Sequence, residues 1–478
     1  MTQLSCDVAV IGAGSAGLST AVSAAESGAR VVVLEKTGRL GGAIQGGSGL
    51  FAAGSHVQRE RQVALTRDAA FARLMEFTQW RVDARLVSDY VNASADTIAW
   101  FEEMGAVFSD VVAYYLGAER TWHYREPASP ELAGVLERRA RSLGVEFHVD
   151  SPVSGLSRGS GARPWTVAAG AGCVAGAVVL ATGGFGGSPE LIERYTGFRH
   201  GVDLFSFAYE ECAGDGIRLA AAAGAGSAPA MMETYVCLPP PHWGPGGTGF
   251  DLGSFRQPNL MVNARAERFM NEEVMRIPSF AANAVARQPG RCGYMILDRG
   301  VNEGYEREGW DFQMSKLPVT RPVEFAATVA KARAEGYPHL FEAGSLDELA
   351  AATGLDPGAL GSTVDEYRQA CRTGRDAAFF KAPAYLRPLD RPPFYAARFG
   401  IGGYGSLGGV PVDHRLRVLD PAGEPVAGLY AAGRDANAIY GGSYPFVMAG
   451  NSSSFSHNSG RLAGRHAAGF AAAERDSA

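Results

Sequence analysis

A chain of 478 residues with 46% hydrophobic content has room for two domains and a sizeable core. Its net charge of −6 gives no electrostatic footprint for nucleic acid, and no such partner is expected. The six cysteines (Cys6, Cys173, Cys212, Cys237, Cys292 and Cys371) are scattered without a C-x-x-C pair, which argues against a disulfide scaffold, an iron–sulfur module and a c-type haem, and makes a reducing, cytoplasmic compartment the simplest expectation.

The N-terminus, MTQLSCDVAVIGAG, runs straight into a strand and fits no signal peptide. No apolar run of about 20 residues is present, so no membrane span is expected. The run Asp7 to Ile11 reads as a strand. Gly12-Ala13-Gly14-Ser15-Ala16-Gly17 follows, then a small-residue helix over Leu18 to Gly28 and a second strand over Val31 to Leu34, ending in Glu35. This is a βαβ unit with the G-x-G-x-x-G fingerprint in its required context. The first glycine makes the tight turn, the second admits a pyrophosphate, and the third packs helix on strand. Glu35 can accept from ribose hydroxyls, and the helix N-terminus offers N–H donors to phosphate. A dinucleotide is therefore expected.

Further along, Arg39 to Gly49 forms a second glycine loop, and Ala177 to Leu180 is a strand ending in Ala181-Thr182-Gly183-Gly184. Gly224-Ala225-Gly226 follows an alanine tract and reads as a helix end. Leu346 to Thr353 and Pro357 to Cys371 read as amphipathic helices, and Pro388 to Pro393 as a return segment. Asp420-Pro421-Ala422-Gly423 predicts a hairpin turn before Gly428 to Ala432, another strand ending in a glycine turn. These two strand-end glycine turns resemble those of the FAD-binding oxidoreductases more than those of NAD dehydrogenases, and no second G-x-G-x-x-G follows a strand, so one FAD and no NAD(P)H domain is expected.

Taken together, Leu40-Gly41-Gly42, Ala181 to Gly186, Gly214-Asp215-Gly216, Met261-Val262-Asn263, Glu267 to Glu272, Leu407 to Val410, Gly428 to Gly433 and Gly460 to Gly464 resemble the fumarate reductase/succinate dehydrogenase flavoprotein family nearly end to end. The likeness is greatest to its soluble, 3-ketosteroid-dehydrogenase-like members. The resemblance implies an α/β fold with a Rossmann-like FAD-binding domain and an inserted α+β capping domain. The first would hold residues 1–233 and 405–478, and the cap residues 234–404. The implied FAD contacts are Gly12, Gly14, Ser15, Ala16, Gly17, Glu35 and Lys36, then Gly41, Gly42, Ala43, Gly47, Ser48 and Gly49. Val153, Ala181, Thr182, Gly183, Asp215, Gly433, Asp435, Asn451, Ser452 and Ser453 complete the set. No His precedes the glycine loop where membrane-bound members attach the cofactor, so non-covalent FAD is implied. A separate electron donor or acceptor is expected.

The resemblance places the reductases' proton-donor arginine at Arg276; the alternative is a surface arginine paired with Glu272 or Glu273. The dicarboxylate clamp is missing: its positions fall near Leu238, on Tyr404 or Gly405, and on Tyr444. A carboxylate needs charge-assisted donors, so fumarate and succinate are poor candidates. Tyr444-Pro445 is instead similar to the Tyr-Pro of the ketosteroid dehydrogenases, whose phenol polarises the substrate ketone; the alternative is a packing tyrosine whose hydroxyl meets backbone. Those dehydrogenases use a tyrosine as base, while this chain keeps Arg276. The expected function is a desaturase or ene-reductase that interconverts a C–C and a C=C bond next to a carbonyl. The flavin exchanges the β-hydride, Arg276, Tyr404 or Tyr115 moves the α-proton, and Tyr444 holds the carbonyl oxygen. Leu238, Phe446, Val447 and Met448 suggest a hydrophobic substrate, with cyclic ketones among the candidates. An amine or amino-acid oxidase, or a non-catalytic FAD-binding protein, are the alternatives. His123 and His457 receive no role.

Overall fold

Apolar runs buried on both faces build the centre of the larger sheet. The computed structural model describes residues 3–42, 49–115, 117–170, 172–239, 253–312 and 324–477. The expected FAD contacts Ala43, Gly47 and Ser48 lie outside them. In the larger sheet the strands run Arg417–Leu419, Pro425–Ala431, Cys173–Leu180, Leu4–Ile11, Val31–Leu34 and Glu146–His148 in spatial order. The last five pair in parallel, and Arg417–Leu419 adds antiparallel through the anticipated Asp420 turn. The chain leaves Leu4–Ile11 toward Val31–Leu34 on one side, whereas Cys173–Leu180 lies on the other. The C-terminal end of Leu4–Ile11 is therefore a topological switch point, where parallel α/β sheets open a ligand crevice.

The first helix covers Ser15–Glu26, three residues earlier than expected from the sequence. The last residues of the glycine fingerprint are already helical, and Gly28, at φ +82°, lies beyond the end. This helix packs against the C-terminal helix Asn451–Asp476 at backbone distance. A Cβ on Gly460 would stand 2.3 Å from the Ala16 carbonyl, and one on Gly464 would stand 2.5 Å from that of Thr20.

A second sheet is organised by the long strand Phe394–Gly408, which pairs with Phe205–Ser206, Ala230–Cys237, Gly293–Asp298 and Leu340–Ala343. Leu260–Val262 extends it beyond Gly293–Asp298. The helices Leu346–Thr353 and Pro357–Thr373 pack here, and Asp356 caps the second through the Ala359 N–H. A three-stranded sheet of Gly49–Phe51, Phe108–Val112 and Trp122–Arg125 completes the fold. Among the described residues no helix is long and apolar enough to cross a membrane.

Candidate active site

At the switch point three strand ends converge. Gly12 N–H donates to Leu34 O, Ala181 N–H to Ile11 O and Ala432 N–H to Leu180 O. Gly12 sits at φ +99°, and a Cβ there would lie 2.4 Å from Ala181 O. A Cβ on Gly17 would lie 1.8 Å from Gly12 O, whereas one on Gly14 would meet nothing within 4 Å. Gly12 and Gly17 thus serve packing, and Gly14 faces open space at the N-terminus of a helix that no side chain caps. Ser15, Ala16 and Gly17 form the first helical turn, whose N–H groups are the donors a phosphate needs. Gly433 presses on Ala16, and its N–H donates to Ser459 Oγ at 2.9 Å.

The acidic residues of the crevice are held in place. Glu35 accepts from Ala13 N–H at 2.8 Å through one oxygen, and from the Thr37 N–H and hydroxyl, each at 2.9 Å, through the other. Lys36 pairs with Asp215 at 2.6 Å. Asp435 is fully buried and accepts from Thr182 N–H at 2.6 Å, Gly184 N–H at 2.9 Å and the Thr182 hydroxyl at 3.1 Å. Burial pushes its carboxyl up to about 6. Asp435 therefore ties two glycine turns together. Gly183 is left-handed at φ +92°, and Gly41 N–H donates to Ala13 O, which draws the second glycine loop onto the first. Gly42 lies against Gly14, and Gly49 against the His123 carbonyl. Val153 is half-buried beside the Rossmann strands.

At the C-terminal helix, the Asn451 side chain is spent within the protein. Its oxygen accepts from the Tyr90 hydroxyl at 2.8 Å, and its nitrogen donates to Met448 O. Ser453 is half-buried. Among the described residues the Ser452 hydroxyl, the Asn437 amide and the Tyr440 hydroxyl are buried without a hydrogen-bond partner. Such groups are rare in a finished interior and mark room for a heteroatom-rich ligand. The open Gly14 cradle, the uncapped helix and these orphaned polar groups fit FAD.

On the other side lies a small cavity lined by Tyr114, Tyr235, Val236, Cys237, Leu238, Arg256, Met275, Pro278, Phe399 and Tyr404. Tyr404 is the exposed residue of an otherwise mostly buried strand, 42% accessible, and its ring stacks on Tyr235 at 4.2 Å and 12°. Met275 and Pro278 bracket Arg276 at the end of a three-residue-per-turn helix, Glu272–Arg276, capped by Asn271. Arg276 is half-buried and makes no hydrogen bond or ion pair with a described residue. Its charge is felt by Tyr115, whose hydroxyl burial pushes up and Arg276 pulls down.

The expected alternative for Arg276, a pairing with Glu272 or Glu273, is absent. Glu272 is fully buried and is gripped by Arg268 at 3.0 and 2.8 Å and by Lys381 at 3.3 Å. Arg268 also forks onto Asp376 at 3.1 and 3.0 Å, and Lys381 donates to the Tyr367 hydroxyl at 2.9 Å. Glu273 accepts from Ala382 N–H at 2.7 Å. Two cations and two carboxylates close on themselves, which matters because a lone buried charge is costly. The cluster keeps Glu272, four residues before Arg276, from capturing it.

Tyr444 is buried behind this wall rather than on it. Its ring meets Phe446 at 4.9 Å, and Phe446 meets Tyr114 at 4.9 Å. Its hydroxyl oxygen accepts from Ser452 N–H at 3.1 Å, at the N-terminus of the C-terminal helix. Burial, reinforced by the Glu233 charge, pushes that hydroxyl far up. Glu233 itself pairs with Arg434 at 2.9 Å, a link between the second sheet and the Gly433 turn. His123 and His457 are buried ring donors and acceptors for Thr121 and Ser55, and for Ser19. Sequence reasoning missed Arg256 and the Asp376–Lys381 half of the cluster, because neither stands in a recurring motif.

A family model described as FAD binding domain matches residues 7–452, and the chain belongs to this family. It is 31% identical to a vinyl phenol reductase of Lactiplantibacillus plantarum, across 98% of this chain and 97% of the relative. It is 27% identical to a fumarate reductase (cytochrome) of Shewanella frigidimarina, across 97% of this chain and 77% of the relative. Its fold is similar to that of the 3-ketosteroid-Δ4-(5α)-dehydrogenase from Rhodococcus jostii, with TM-score 0.75, 24% identity and 98% of each chain covered. The resemblance expected from the motifs is borne out. The chain is an FAD-dependent oxidoreductase of the kind that acts between C–C and C=C bonds.

Proposed function

We propose that this member of the FAD binding domain family is an ene-reductase for a hydrophobic alkene conjugated to a carbonyl or an equivalent electron-accepting oxygen. The observation that carries the reading is Arg276, a guanidinium beside the aromatic cavity that the Arg268–Glu272–Lys381–Asp376 cluster leaves without a carboxylate partner. Arginine keeps its charge at all working pH values, so it suits a proton donor better than a base. The glycine cradle would hold FAD non-covalently, and the cofactor would supply two-electron hydride chemistry to the alkene. Arg276 gives a proton to the α-carbon, and the saturated product has gained one hydride and one proton. For Tyr444 to donate its hydroxyl hydrogen to the conjugating oxygen, the substrate must reach past Phe446 to the inner side of the cavity wall, where Tyr444 is buried. Its own oxygen accepts from Ser452 N–H at the positive end of a helix, which strengthens it as a donor. Tyr404 shapes the pocket around the reacting bond, and Tyr115 stands within reach of the Arg276 charge. Residues 234–404 form the cap, with Leu238, Met275 and Phe399 excluding water.

The electron donor is a separate partner, and a cytoplasmic setting fits the free thiols. The test is the pair Arg276→Ala and Arg276→Lys in reductant-driven turnover. The alanine variant retains FAD and loses about 10²- to 10⁴-fold in rate, the range of a general acid, while lysine restores part of it. Full turnover in the alanine variant removes Arg276 from the chemistry.

A further inference from the structure

Arg276 has no described partner at its tip, so its place beside the cavity is set by the backbone that carries it. That backbone runs directly into the helix Pro278–Ala286, whose N-terminus no side chain caps. Ser279 stands in its first turn, where a serine hydroxyl is ordinarily spent on nearby backbone. Here it is fully buried and donates instead to the Tyr444 carbonyl, 165 positions away, at 2.8 Å. One turn on, along the same face, the Asn283 amide donates to the Ser443 hydroxyl at 2.8 Å. Phe280 stacks on Phe77 at 5.5 Å and 11° at the exposed edge of this seam. The far side of the seam is anchored to the cofactor crevice. Gly441 lies against Thr78, and the Tyr444 hydroxyl accepts from Ser452 N–H. Ser452 is in the first turn of Asn451–Asp476, which packs on the helix that starts beside the open Gly14 cradle. A path of backbone and hydrogen bonds therefore runs from Arg276 to the cradle, and the Ser279–Tyr444 bond is a buried link in it.

We propose that Ser279 is a positioning residue, whose hydrogen bond to the Tyr444 carbonyl holds the Arg276 backbone at a fixed distance from the cofactor crevice. The proposal rests on the reading of Arg276 as proton donor for its effect on turnover, but not for the seam itself. Proton delivery to carbon needs a fixed geometry, and a misplacement of about 1 Å costs about 10²-fold in rate. The fold depends on the bond much less. Tyr444 O also accepts from Phe446 N–H at 3.1 Å, so truncating Ser279 leaves no orphaned carbonyl. The ring wall of the cavity, Tyr235 and Tyr404, stands on strands rather than on this helix, which separates substrate binding from proton delivery.

The test compares Ser279→Ala, Arg276→Ala and the double variant as FAD-loaded proteins, with the carbonyl-conjugated alkene that the wild type reduces fastest. Ser279→Ala retains FAD and reoxidises normally with oxygen. Its kcat falls about 10- to 100-fold while KM stays within about threefold. The double variant is no slower than Arg276→Ala, within about threefold, because a residue that acts through Arg276 has nothing left to position. Three results overturn the proposal: a kcat in Ser279→Ala within about threefold of wild type, losses that multiply in the double variant, or loss of FAD from Ser279→Ala, which would make the residue structural. Amide hydrogen exchange over residues 272–286 tests the seam without turnover, and it is at least about tenfold faster in Ser279→Ala. If no alkene is reduced, or Arg276→Ala turns over fully, the ene-reductase reading fails while faster exchange keeps the seam; unchanged exchange overturns the seam whatever the turnover.

Discussion

The cofactor crevice and the substrate cavity are neighbours built on opposite plans. In the crevice, charged groups are spent on shape: Asp435 ties Thr182 to Gly184, Glu35 holds Ala13 and Thr37, and Lys36 pairs with Asp215. At the cavity the Tyr404 ring is exposed, and Arg276, between the lining residues Met275 and Pro278, has no described partner. A permanently bound cofactor is met largely by backbone, so side chains are free to fix that backbone. A substrate that arrives and leaves needs side chains kept available. Availability has a cost, because an unpaired charge seeks a partner. Here the closed Arg268–Glu272–Lys381–Asp376 cluster withholds the nearest carboxylate from Arg276.

The contrast is broken most severely by Gly17→Ala. Its Cβ would lie 1.8 Å from the Gly12 carbonyl, so the glycine turn must open. The purified variant is expected to be colourless, with FAD absent from the visible spectrum; a fully yellow protein would contradict the crevice geometry. On the substrate side, Tyr444→Phe is expected to keep FAD and lose about 10²-fold in turnover, the loss typical of one preorganised donor. A change below threefold would reassign the hydroxyl to capping the C-terminal helix through Ser452.

The smallest expected effect concerns the buried histidines that serve neither region. Burial pushes His123 down to about 4 and His457 to about 3, so both are neutral in the fold. In the unfolded chain they take up protons near pH 6.5. The stability they contribute is therefore complete above that pH and is lost as pH falls from about 6.5 toward 4 and 3. Each contributes up to about 1.4 kcal/mol per pH unit in that window. Urea midpoints measured at pH 7 and pH 5 should drop accordingly, and equal midpoints would contradict neutral burial.

Much of the crevice was legible because its determinants are local. The fingerprint from Gly12 to Gly17 sits between Leu4–Ile11 and Val31–Leu34, and hydrophobic run, glycine spacing and acid all agree within 35 residues of sequence. The cavity was less legible because it is assembled from distant segments. Arg268 meets Asp376 across 108 positions, and no pattern predicts that Lys381 will be buried against Glu272. Arg276 was found by its place after a motif, but its freedom from Glu272 and Glu273 could be seen only in three dimensions. Arg256 had no motif at all; an arginine that ends a short helical turn reads as an ordinary surface residue.

The most direct measurement mixes dithionite-reduced holoprotein anaerobically with a panel of hydrophobic alkenes conjugated to a carbonyl or an equivalent oxygen and follows the return of the oxidised flavin band. The account predicts rapid reoxidation with one saturated product per flavin, at least 100-fold slower in Arg276→Ala, whose reduced flavin still reoxidises normally with oxygen. Flavin that stays reduced with every alkene, and reoxidises only with oxygen, would contradict it.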